Sequence, residues 1–359
     1  MTRPSASSPP AHRTTTAHPS PASGRSLSVR GAVACTGGVT DPLDAVPEPV
    51  FPVCRAVAAG LVTSRARRPD LVAAGRGLRR RRDVRATSVQ IAVAHAQRDR
   101  SLIVSHASAA ALWDLWLPSG MEPPPQLSRL RPAAQPRMAG VEGHRLRLDP
   151  AADLVVLGAG GAAHAVTSPV RTWLDLAAAG LCGEDLVISG DALLRRADGP
   201  RGRLPPGWGH PLASPDEVRA AVDGRAGRPG GRALRDALPH LRAGSDSPQE
   251  TRLRLRLVQA GLPEPRVNPR IPLVWDAHGR VLRSIPVDLY FEAARVAVQY
   301  EGEHHFTRAD QYRRDMRRDE ELRDVGVETL RVDGAVFCAA EWQRFLTRVR
   351  RVLRDRGVG

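Results

Sequence analysis

The clearest alternation of apolar and polar positions lies in the last third of the chain. The stretch "SPQETRLRLRLVQAG" predicts a helix capped by Ser247 that begins at Pro248 and stops at Gly261, with Glu250 placed to complete a capping box. Three apolar stretches follow, "RVNPRIPLV", "VLRSIPVDLYFE" and "RVAVQYEG", and each predicts a strand. A charged helix over roughly residues 307–325, the strand "VETLRV" and an amphipathic last helix complete the order α-β-β-β-α-β-α.

Shorter signals fill the first two thirds. The stretch "SVQIAVAHAQRDRSLIVSHASAAALWDLWLP" predicts a helix, a short strand and a second helix with Ser105 as its N-cap. The stretches "GVEGHRLRL" and "DLVVLGAGGAAHAVTSPVRTWLDLAAAG" predict short strands and a helix with Pro169 in its first turn, on which Arg171 and Asp175 are spaced for an ion pair. Residues 47–84 predict two short helices and a hairpin, as in a small winged helix-turn-helix.

Length and pattern together predict several domains in a chain of the α/β (α+β) class. At 359 residues the chain exceeds what one hydrophobic core ordinarily serves. Its first residues are rich in Pro, Ser, Thr and Ala, and such a composition buries too little apolar surface to offset the entropy of ordering. We predict, in order, a disordered leader (1–45), a winged-helix-like segment (46–100), a mixed α/β region (101–197), a linker with short helices (198–245) and a C-terminal domain (246–359).

The composition adds a strong positive charge that arginine alone carries. The formal net charge is +15, the pI is about 11.2, and the chain contains 53 arginines and no lysine. This charge suits a polyanionic partner, so we expect DNA, although the bias of a GC-rich genome would also favour arginine over lysine. Candidate DNA contacts are Arg65, Arg67 and Arg68 in the first part of the chain, and Arg313 and Arg317 in the last part. The alternative for such a cluster is a solvated charged face.

Other chemistry-bearing motifs are weak. The four cysteines, Cys35, Cys54, Cys182 and Cys338, are far apart, which indicates neither a zinc site nor a disulfide framework and fits a cytoplasmic protein. The Gly-rich "GAGG" lacks the lysine and hydroxyl residue of a phosphate loop, so no small-molecule cofactor is expected. No apolar run reaches the ~18–20 residues that span a bilayer, so no membrane partner is expected either.

Acidic and amide side chains cluster around the second and third predicted strands of the C-terminal domain. Asp288 follows an apolar residue within a strand and needs a cation partner, because burying an unpaired carboxylate is costly. Gln299 and Glu301 point to one face of the next strand. Together these oxygens suit Mg²⁺ or Mn²⁺, with Glu250 either holding a metal-bound water or serving only in the helix cap. His305, which follows, is a candidate for metal, phosphate or proton-transfer contacts.

The C-terminal pieces "ETRLRLRLVQAGLP", "VDLYF", "VAVQYEGEHH" and "YRRDMRRDEELRDVGVETLRV", with the last helix, resemble the PD-(D/E)XK nuclease superfamily. The likeness is closer to the branch related to very-short-patch-repair (Vsr) endonucleases. The resemblance implies a restriction-endonuclease-like core and Mg²⁺-dependent hydrolysis of DNA. It implies that Asp288 and Glu301 are catalytic metal ligands, that Glu250 has an accessory catalytic role and that His305 contacts DNA or metal.

The same resemblance implies a bracing role for Asp315 and Arg318, which are three positions apart on the charged helix. The chain departs from the family at two points. The position of Gln299 is often acidic in the family, and glutamine is a neutral, weaker metal ligand. The lysine that is usual in these nuclease sites is missing from this lysine-free chain.

The stretches "IVSHASAAALWDLWLP", "GHRLRL" and "VTSPVRTWLDLAAAG" resemble the body of actinobacterial proteins related to AbiEi-type antitoxins. That resemblance implies a different function, in which DNA binding regulates transcription, a toxin is the partner protein and no catalysis is needed. The sequence therefore leaves three functions open: a metal-dependent endonuclease, a non-catalytic DNA-binding antitoxin with a degenerate nuclease fold, and a protein-interaction module.

Overall fold

The computed structural model describes residues 42–199, 204–302 and 309–358, and for residues 309–315 it describes the backbone alone. Contacts divide the chain into Met1–Asp41 and Pro42–Gly359, and the described residues belong to the second unit. The predicted disordered leader therefore lies outside the described residues up to position 41. Its last four positions, Pro42–Ala45, form a 3-10 turn in which Leu43 is buried, so regular structure begins before the predicted boundary.

The first folded segment combines a three-stranded antiparallel sheet with two short helical pieces. The strands are β1 (Val50–Pro52), β2 (Leu71–Gly75) and β3 (Leu78–Arg81), in the order β1-β3-β2. Helix α1 (Val53–Ala58) and a 3-10 turn (Arg65–Arg67) lie between β1 and β2 in the chain. Phe51 is fully buried in the core that these pieces share.

The middle of the chain, which we call the body, contains a five-stranded sheet of order β6-β5-β4-β8-β7, in which the β5–β6 and β4–β8 pairs are parallel. Its strands are β4 (Ile103–Val104), β5 (Gln126–Leu130), β6 (Glu142–Leu146), β7 (Leu154–Leu157) and β8 (His164–Thr167). Its helices are α2 (Ser88–Arg98), α3 (His106–Leu112), α4 (Pro150–Asp153), α5 (Pro169–Ala178), α6 (Gly183–Leu193), α7 (Pro215–Asp223) and α8 (Gly231–Ala237).

One hydrophobic core holds the body together. Trp113 and Trp173 are fully buried at its centre, and apolar residues of α7 and α8 belong to the same core. Helix α5 begins at Pro169, as the sequence predicts, because proline suits a first turn where no backbone N–H is needed. The predicted ion pair between Arg171 and Asp175 is confirmed at 3.0 Å, and both side chains are buried.

The C-terminal part holds a four-stranded sheet of order β14-β13-β12-β9, in which β13 and β14 are parallel, and a separate β10–β11 hairpin. In chain order its elements are α9 (Pro248–Gln259), β9 (Arg266–Val267), β10 (Arg270–Trp275), β11 (Val281–Pro286), β12 (Leu289–Phe291), β13 (Val296–Glu301), α10 (Ala309–Asp324), β14 (Glu328–Asp333) and α11 (Ala339–Asp355).

Two of the predicted strands are each broken in the middle. The first breaks at Asn268 and Pro269, because Asn268 has φ 45° and proline lacks the N–H for a ladder bond. The second breaks at Val287 and Asp288, beside the first, where Asn268 N donates to the Asp288 carbonyl at 2.8 Å and Val287 N to that of Pro269 at 3.1 Å. The prediction that Asp288 lies inside a strand is therefore wrong, since it lies in this break.

Helix α9 contributes to two cores. Leu253 and Leu257 pack with the C-terminal sheet and with Val349 of α11. Leu255 belongs instead to the core of the body. This division follows from the helical period, since residues two apart on a helix point to different sides.

The described residues thus form a mixed α/β fold with four sheets and eleven α-helices, which confirms the predicted class. None of these helices combines the length and the apolar character needed to cross a membrane.

Candidate nucleic-acid interface and acid cluster

Glu250 occupies the first turn of α9 and is buried. Ser247 Oγ accepts from Glu250 N at 3.2 Å, as the predicted cap requires, and donates to Glu250 Oε1 at 2.9 Å. The backbone N–H that returns to the carboxylate is that of Asp246, at 2.9 Å, and Asn268 Nδ2 donates to the same oxygen at 2.5 Å. The carboxylate is therefore held by three donors, but the predicted capping box is not formed, because the backbone donor is Asp246 and not the N-cap Ser247.

Asp288 lies near Glu250 in the break between β11 and β12. Tyr300 N donates to Asp288 Oδ2 at 2.6 Å, which fixes the carboxylate beside β13. Burial raises the pKa of Glu250, and the nearby Asp288 carboxylate raises it further. Burial also raises the pKa of Asp288, although the Tyr300 N–H and the Arg318 guanidinium both lower it. Both carboxyl groups therefore favour an added proton or cation.

Glu301, the other predicted acidic ligand, is bound by an arginine. The parallel register places Arg331 of β14 opposite Gln299 of β13, on the face that Gln299 and Glu301 share. Arg331 Nη1 donates to Glu301 Oε1, and Arg331 Nε and Nη2 each bind the Asp319 carboxylate at 2.8 Å. Arg331 also interacts electrostatically with Asp288. One guanidinium thus supplies positive charge to three carboxylates.

The predicted metal site can be tested against this arrangement. Among the residues that the structure describes, no three His, Cys, Asp or Glu side chains are grouped to hold a metal ion. Gln299 is buried and neutral, and Glu301 bonds to Arg331. The described residues therefore do not fit an oxygen cage for Mg²⁺ or Mn²⁺. The fourth predicted residue, His305, lies outside the described residues.

The remaining C-terminal candidates lie on α10. Arg318 donates to the Pro286 carbonyl and so contacts the end of β11, which agrees with a bracing position. Arg317 is exposed. Asp315 and Arg313 belong to the helix, but their side chains lie outside the described part of the structure.

Sequence reasoning did not find several residues that surround the acids. Arg196, just after α6, pairs with Asp246 and donates to the Asn268 carbonyl at 3.2 Å. The body therefore contacts two residues that donate to the Glu250 carboxylate. The Asn-Pro step at 268–269 was a local signal for the break that positions Asn268. Arg331 and Asp319 had no local signal, because only the strand register brings them to Glu301.

A second candidate surface is the arginine-rich segment Arg65–Arg85, which we call the basic surface. It carries nine arginines and two aspartates. Arg65 is paired with Asp70 at 2.8 Å, and this hydrogen-bonded pair lowers the pKa of the aspartate. Arg67 and Arg68 are exposed, and in the described part of the chain no carboxylate lies at ion-pair distance from either. Of the three predicted DNA contacts here, two are therefore open to a ligand.

The hairpin of the basic surface is braced by its own arginines. Arg79 Nε donates to the Ala66 carbonyl at 2.9 Å, and Arg82 Nε to that of Pro69 at 2.6 Å. Carbonyl acceptors hold a guanidinium in place without cancelling its charge. Arg76 lies exposed at the hairpin tip between two glycines with positive φ. The surface therefore keeps most of its positive charge for a partner.

No protein-family model, no curated protein and no solved structure matches this chain.

Proposed function

We propose that this protein is a DNA-binding regulator of the antitoxin type whose nuclease-like C-terminal domain does not cleave DNA. The observation that carries the proposal is the position of Arg331. Its guanidinium binds Glu301 and Asp319 and interacts with Asp288, so an arginine supplies the positive charge that a metal ion would supply in a nuclease. The neutral Gln299 beside it agrees with this interpretation.

The C-terminal strand order supports the nuclease-like part of the proposal. A helix precedes a mixed sheet in which three antiparallel strands, with the β10–β11 hairpin inserted between the first two, are followed by a helix and a parallel fourth strand. That is the α-β-β-β-α-β order expected from the resemblance, with the acids at the break in the second strand and on the third. We therefore propose that the fold was retained while the site changed its chemistry.

The N-terminal segment supports DNA binding. The chain passes through a helical turn, a strand, two helical pieces and a hairpin, and the sheet order is β1-β3-β2, as expected for a winged helix. The piece at the position of a recognition helix is only the 3-10 turn Arg65–Arg67. Such a short element offers few side chains to base edges, so we propose that the basic surface contacts mainly phosphates.

The test measures affinity for a duplex from the region upstream of the protein's own gene, and for an unrelated duplex, at several salt concentrations. The variant replaces Arg67, Arg68 and Arg76 by alanine. We expect weaker binding to both duplexes and a salt slope shallower by about 0.9 for each lost phosphate contact. The matched control removes the same charge from exposed arginines of the body, Arg219, Arg228 and Arg232, and should keep the slope. Equal slopes for the two triple variants would contradict the proposal.

A Mg²⁺-dependent endonuclease is the second candidate, and the raised pKa values of Glu250 and Asp288 favour it. Two carboxyl groups in this state would gain from a cation, although further ligands would have to come from beyond the described residues, where His305 lies. Calorimetry with Mn²⁺ or Mg²⁺ on the whole chain, wild type against Asp288→Asn, separates the candidates. Binding that the variant loses would favour the endonuclease. No binding in the wild type would leave the regulator.

A further inference from the structure

The β10–β11 hairpin, Arg270–Pro286, carries an apolar tip whose side chains are largely exposed among the described residues. Val274 and Trp275 are 42% and 51% exposed, and Val281 and Leu282 are 49% and 66% exposed. Ten large hydrophobic side chains are exposed in the described part of the chain, and four of them lie within these nine consecutive positions. Single exposed hydrophobic residues are ordinary on a protein surface, but this concentration indicates an interaction site.

The base of the hairpin is fixed while its tip projects. Ile271 and Ile285 face each other across the two strands and are buried with Leu322 of α10. Arg283 pairs with Glu321 of the same helix at 2.5 Å. The base of the hairpin is therefore already ordered. This order lowers the conformational entropy that the tip loses when it binds a partner.

The charge around the tip is positive. The hairpin contains three arginines and one aspartate. Asp276 Oδ1 accepts from the backbone N–H groups of His278 and Arg280 at 2.8 Å each, so this carboxylate serves the turn. Arg280 is exposed, and no carboxylate among the described residues lies at ion-pair distance from it. The apolar tip lies beside the Arg280 cation. This combination suits a partner with negative charge on its outside and flat apolar groups, such as stacked bases, in its interior.

We propose that the hairpin tip is a DNA wedge, in which Trp275 and Leu282 enter between neighbouring base pairs and kink the duplex. The proposal rests on the proposed DNA binding and extends it to a substrate class. Apolar side chains that enter a base step unstack it, and the bent DNA then covers more protein surface. Because pyrimidine–purine steps are the easiest to unstack, we infer a preference for duplexes that contain them.

Charge also argues against a second copy of this chain as the occupant. Each copy carries a formal net charge of +15, so two copies repel each other, whereas DNA is attracted to the same surface. The position of the hairpin agrees with DNA, because Pro286 at its base is two residues from Asp288 and contacts Arg318 of α10. The hairpin thus lies in the chain between β9 and β12 of the sheet whose strand order we propose to be nuclease-like.

The test uses a duplex of about 30 base pairs, a length over which bending is measurable, with 2-aminopurine beside a central TA step and a dye at each end. Wild-type protein should raise the 2-aminopurine fluorescence and shorten the distance between the dyes. Trp275→Ala with Leu282→Ala should abolish both signals and weaken binding about tenfold, the scale of one aromatic–base stack, while the salt slope stays unchanged.

Two further variants make the result specific. Trp208→Ala removes another exposed tryptophan, 38% exposed and located in the body, and should keep both signals. Trp275→Phe keeps an aromatic ring at the tip and should restore most of the fluorescence change, which a merely unfolded variant could not do. A stiff A-tract duplex in place of the TA step should give a smaller change with wild-type protein.

The outcomes separate this inference from the proposed function. Wild-type protein that binds the duplex without a fluorescence or distance change would overturn the wedge and leave DNA binding intact. Wild-type protein that does not bind at low salt would overturn both. Unchanged DNA signals in the double variant, with loss of self-association on sedimentation, would assign the tip to a protein contact and also overturn the wedge.

Discussion

Arg331 places positive charge within hydrogen-bonding distance of the Glu301 and Asp319 carboxylates, as a bound metal ion would. A guanidinium cannot bind water and lower its pKa as a metal ion does. The proposed lack of DNA cleavage follows from this difference.

Replacing Arg331 by methionine should make the protein less stable and its carboxylates more able to bind a metal ion. We expect the free energy of unfolding to fall by about 1–3 kcal/mol, between the values for exposed and buried ion pairs, since the arginine is partly exposed. We also expect Mn²⁺ affinity to rise, because Asp288, Glu301 and Asp319 lose their shared cation. Urea unfolding and calorimetry measure the two effects. Arg348→Met, at an exposed position on α11, should change neither. Lower stability without any gain in Mn²⁺ binding would contradict the proposal that Arg331 takes the place of a metal ion.

Part of this site could be predicted from the sequence. Asp288, Glu250 and Glu301 were found because acids near apolar strands are conspicuous and need partners. Arg331 could not be found, because it is one of 53 arginines and lies in a strand that reads simply as apolar and alternating. Its role arises from the parallel register of β13 and β14, which depends on the packing of the whole sheet.

His106 is the most perturbed histidine of the body. It adopts φ 51°, stacks on His144 with ring centroids 3.8 Å apart, and its Nδ1 lies 3.0 Å from Ser105 Oγ. Ser105 is the N-cap residue, as predicted, but its hydroxyl bonds to Ser128 and His106 and not to a backbone N–H of the helix. Burial lowers the pKa of His106 from 6.5 to about 3, with smaller contributions from His144 and Arg171.

This lowered pKa predicts a loss of stability in mild acid. Above pH 6.5 the ring is neutral in both states, so its contribution is constant. As the pH falls from 6.5 towards 3, only the unfolded chain binds the proton, and the free energy of unfolding should decline by up to about 1.4 kcal/mol per pH unit. Urea unfolding across this range measures the slope. His106→Asn, which tolerates positive φ, should flatten it, whereas His278→Asn at an exposed turn should not. An unchanged slope in His106→Asn would refute the assignment.

At the scale of elements, α6 and α9 are joined by a buried ion pair. Asp191 of α6 is fully buried, and its Oδ2 lies 3.1 Å from Arg254 Nη2 of α9. Thr251 Oγ1 donates to the same oxygen at 2.9 Å, and Arg242 N donates to Oδ1 at 2.7 Å. Burial nevertheless raises the pKa of Asp191 to about 6, so the carboxylate depends on all of these donors.

Removing one partner should cost more than removing both. Asp191→Ala removes the fully buried carboxylate partner of Arg254, which keeps only Glu264, at 2.8 Å, and it should lower the free energy of unfolding by about 3 kcal/mol. Adding Arg254→Met should recover part of that loss, because the buried guanidinium that lost a partner is then absent. A double-mutant cycle by urea unfolding measures the coupling. Purely additive effects of the two changes would show that the pair does not join the helices energetically.

Element order was easier to predict from the sequence than element continuity. The order of helices and strands after Ser247 follows from alternation and capping, and the structure has it. The two strand breaks were missed because "RVNPRIPLV" and "VLRSIPVDLYFE" each alternate well enough to read as one strand. Pro269 and Pro286 were the local signals, since neither can donate to a ladder.

At the scale of the whole molecule, α9 makes the body and the C-terminal sheet depend on each other. Leu255 and Arg254 serve the body, while Leu253 and Leu257 serve the sheet. A fragment that begins at α9 would expose the face that the body normally covers. The boundary predicted at residue 246 from composition and pattern therefore falls beside a shared helix, which sequence alone could not reveal because only packing shows two partners for one helix.

We expect residues 42–359 to unfold in one transition, and residues 246–359 alone to unfold at lower urea concentration. The physical reason is the loss of the Leu255 and Arg254 contacts on one side of α9. Circular dichroism and tyrosine–tryptophan fluorescence followed on the same samples measure both chains. A fragment as stable as the longer chain, or two separate transitions in the longer chain, would argue that α9 does not couple the two parts.

Because α9 is shared, the thermal unfolding of the whole protein can report the binding of a ligand. If the body cannot lose its structure without α9, and α9 anchors the sheet, then any ligand that prefers the folded state shifts one common melting curve, wherever it binds. Duplexes, metal ions and candidate partner proteins can thus be screened by the melting temperature of the unlabelled chain. Ligands acting at different surfaces should reinforce each other's shifts, because each shifts the same folding equilibrium.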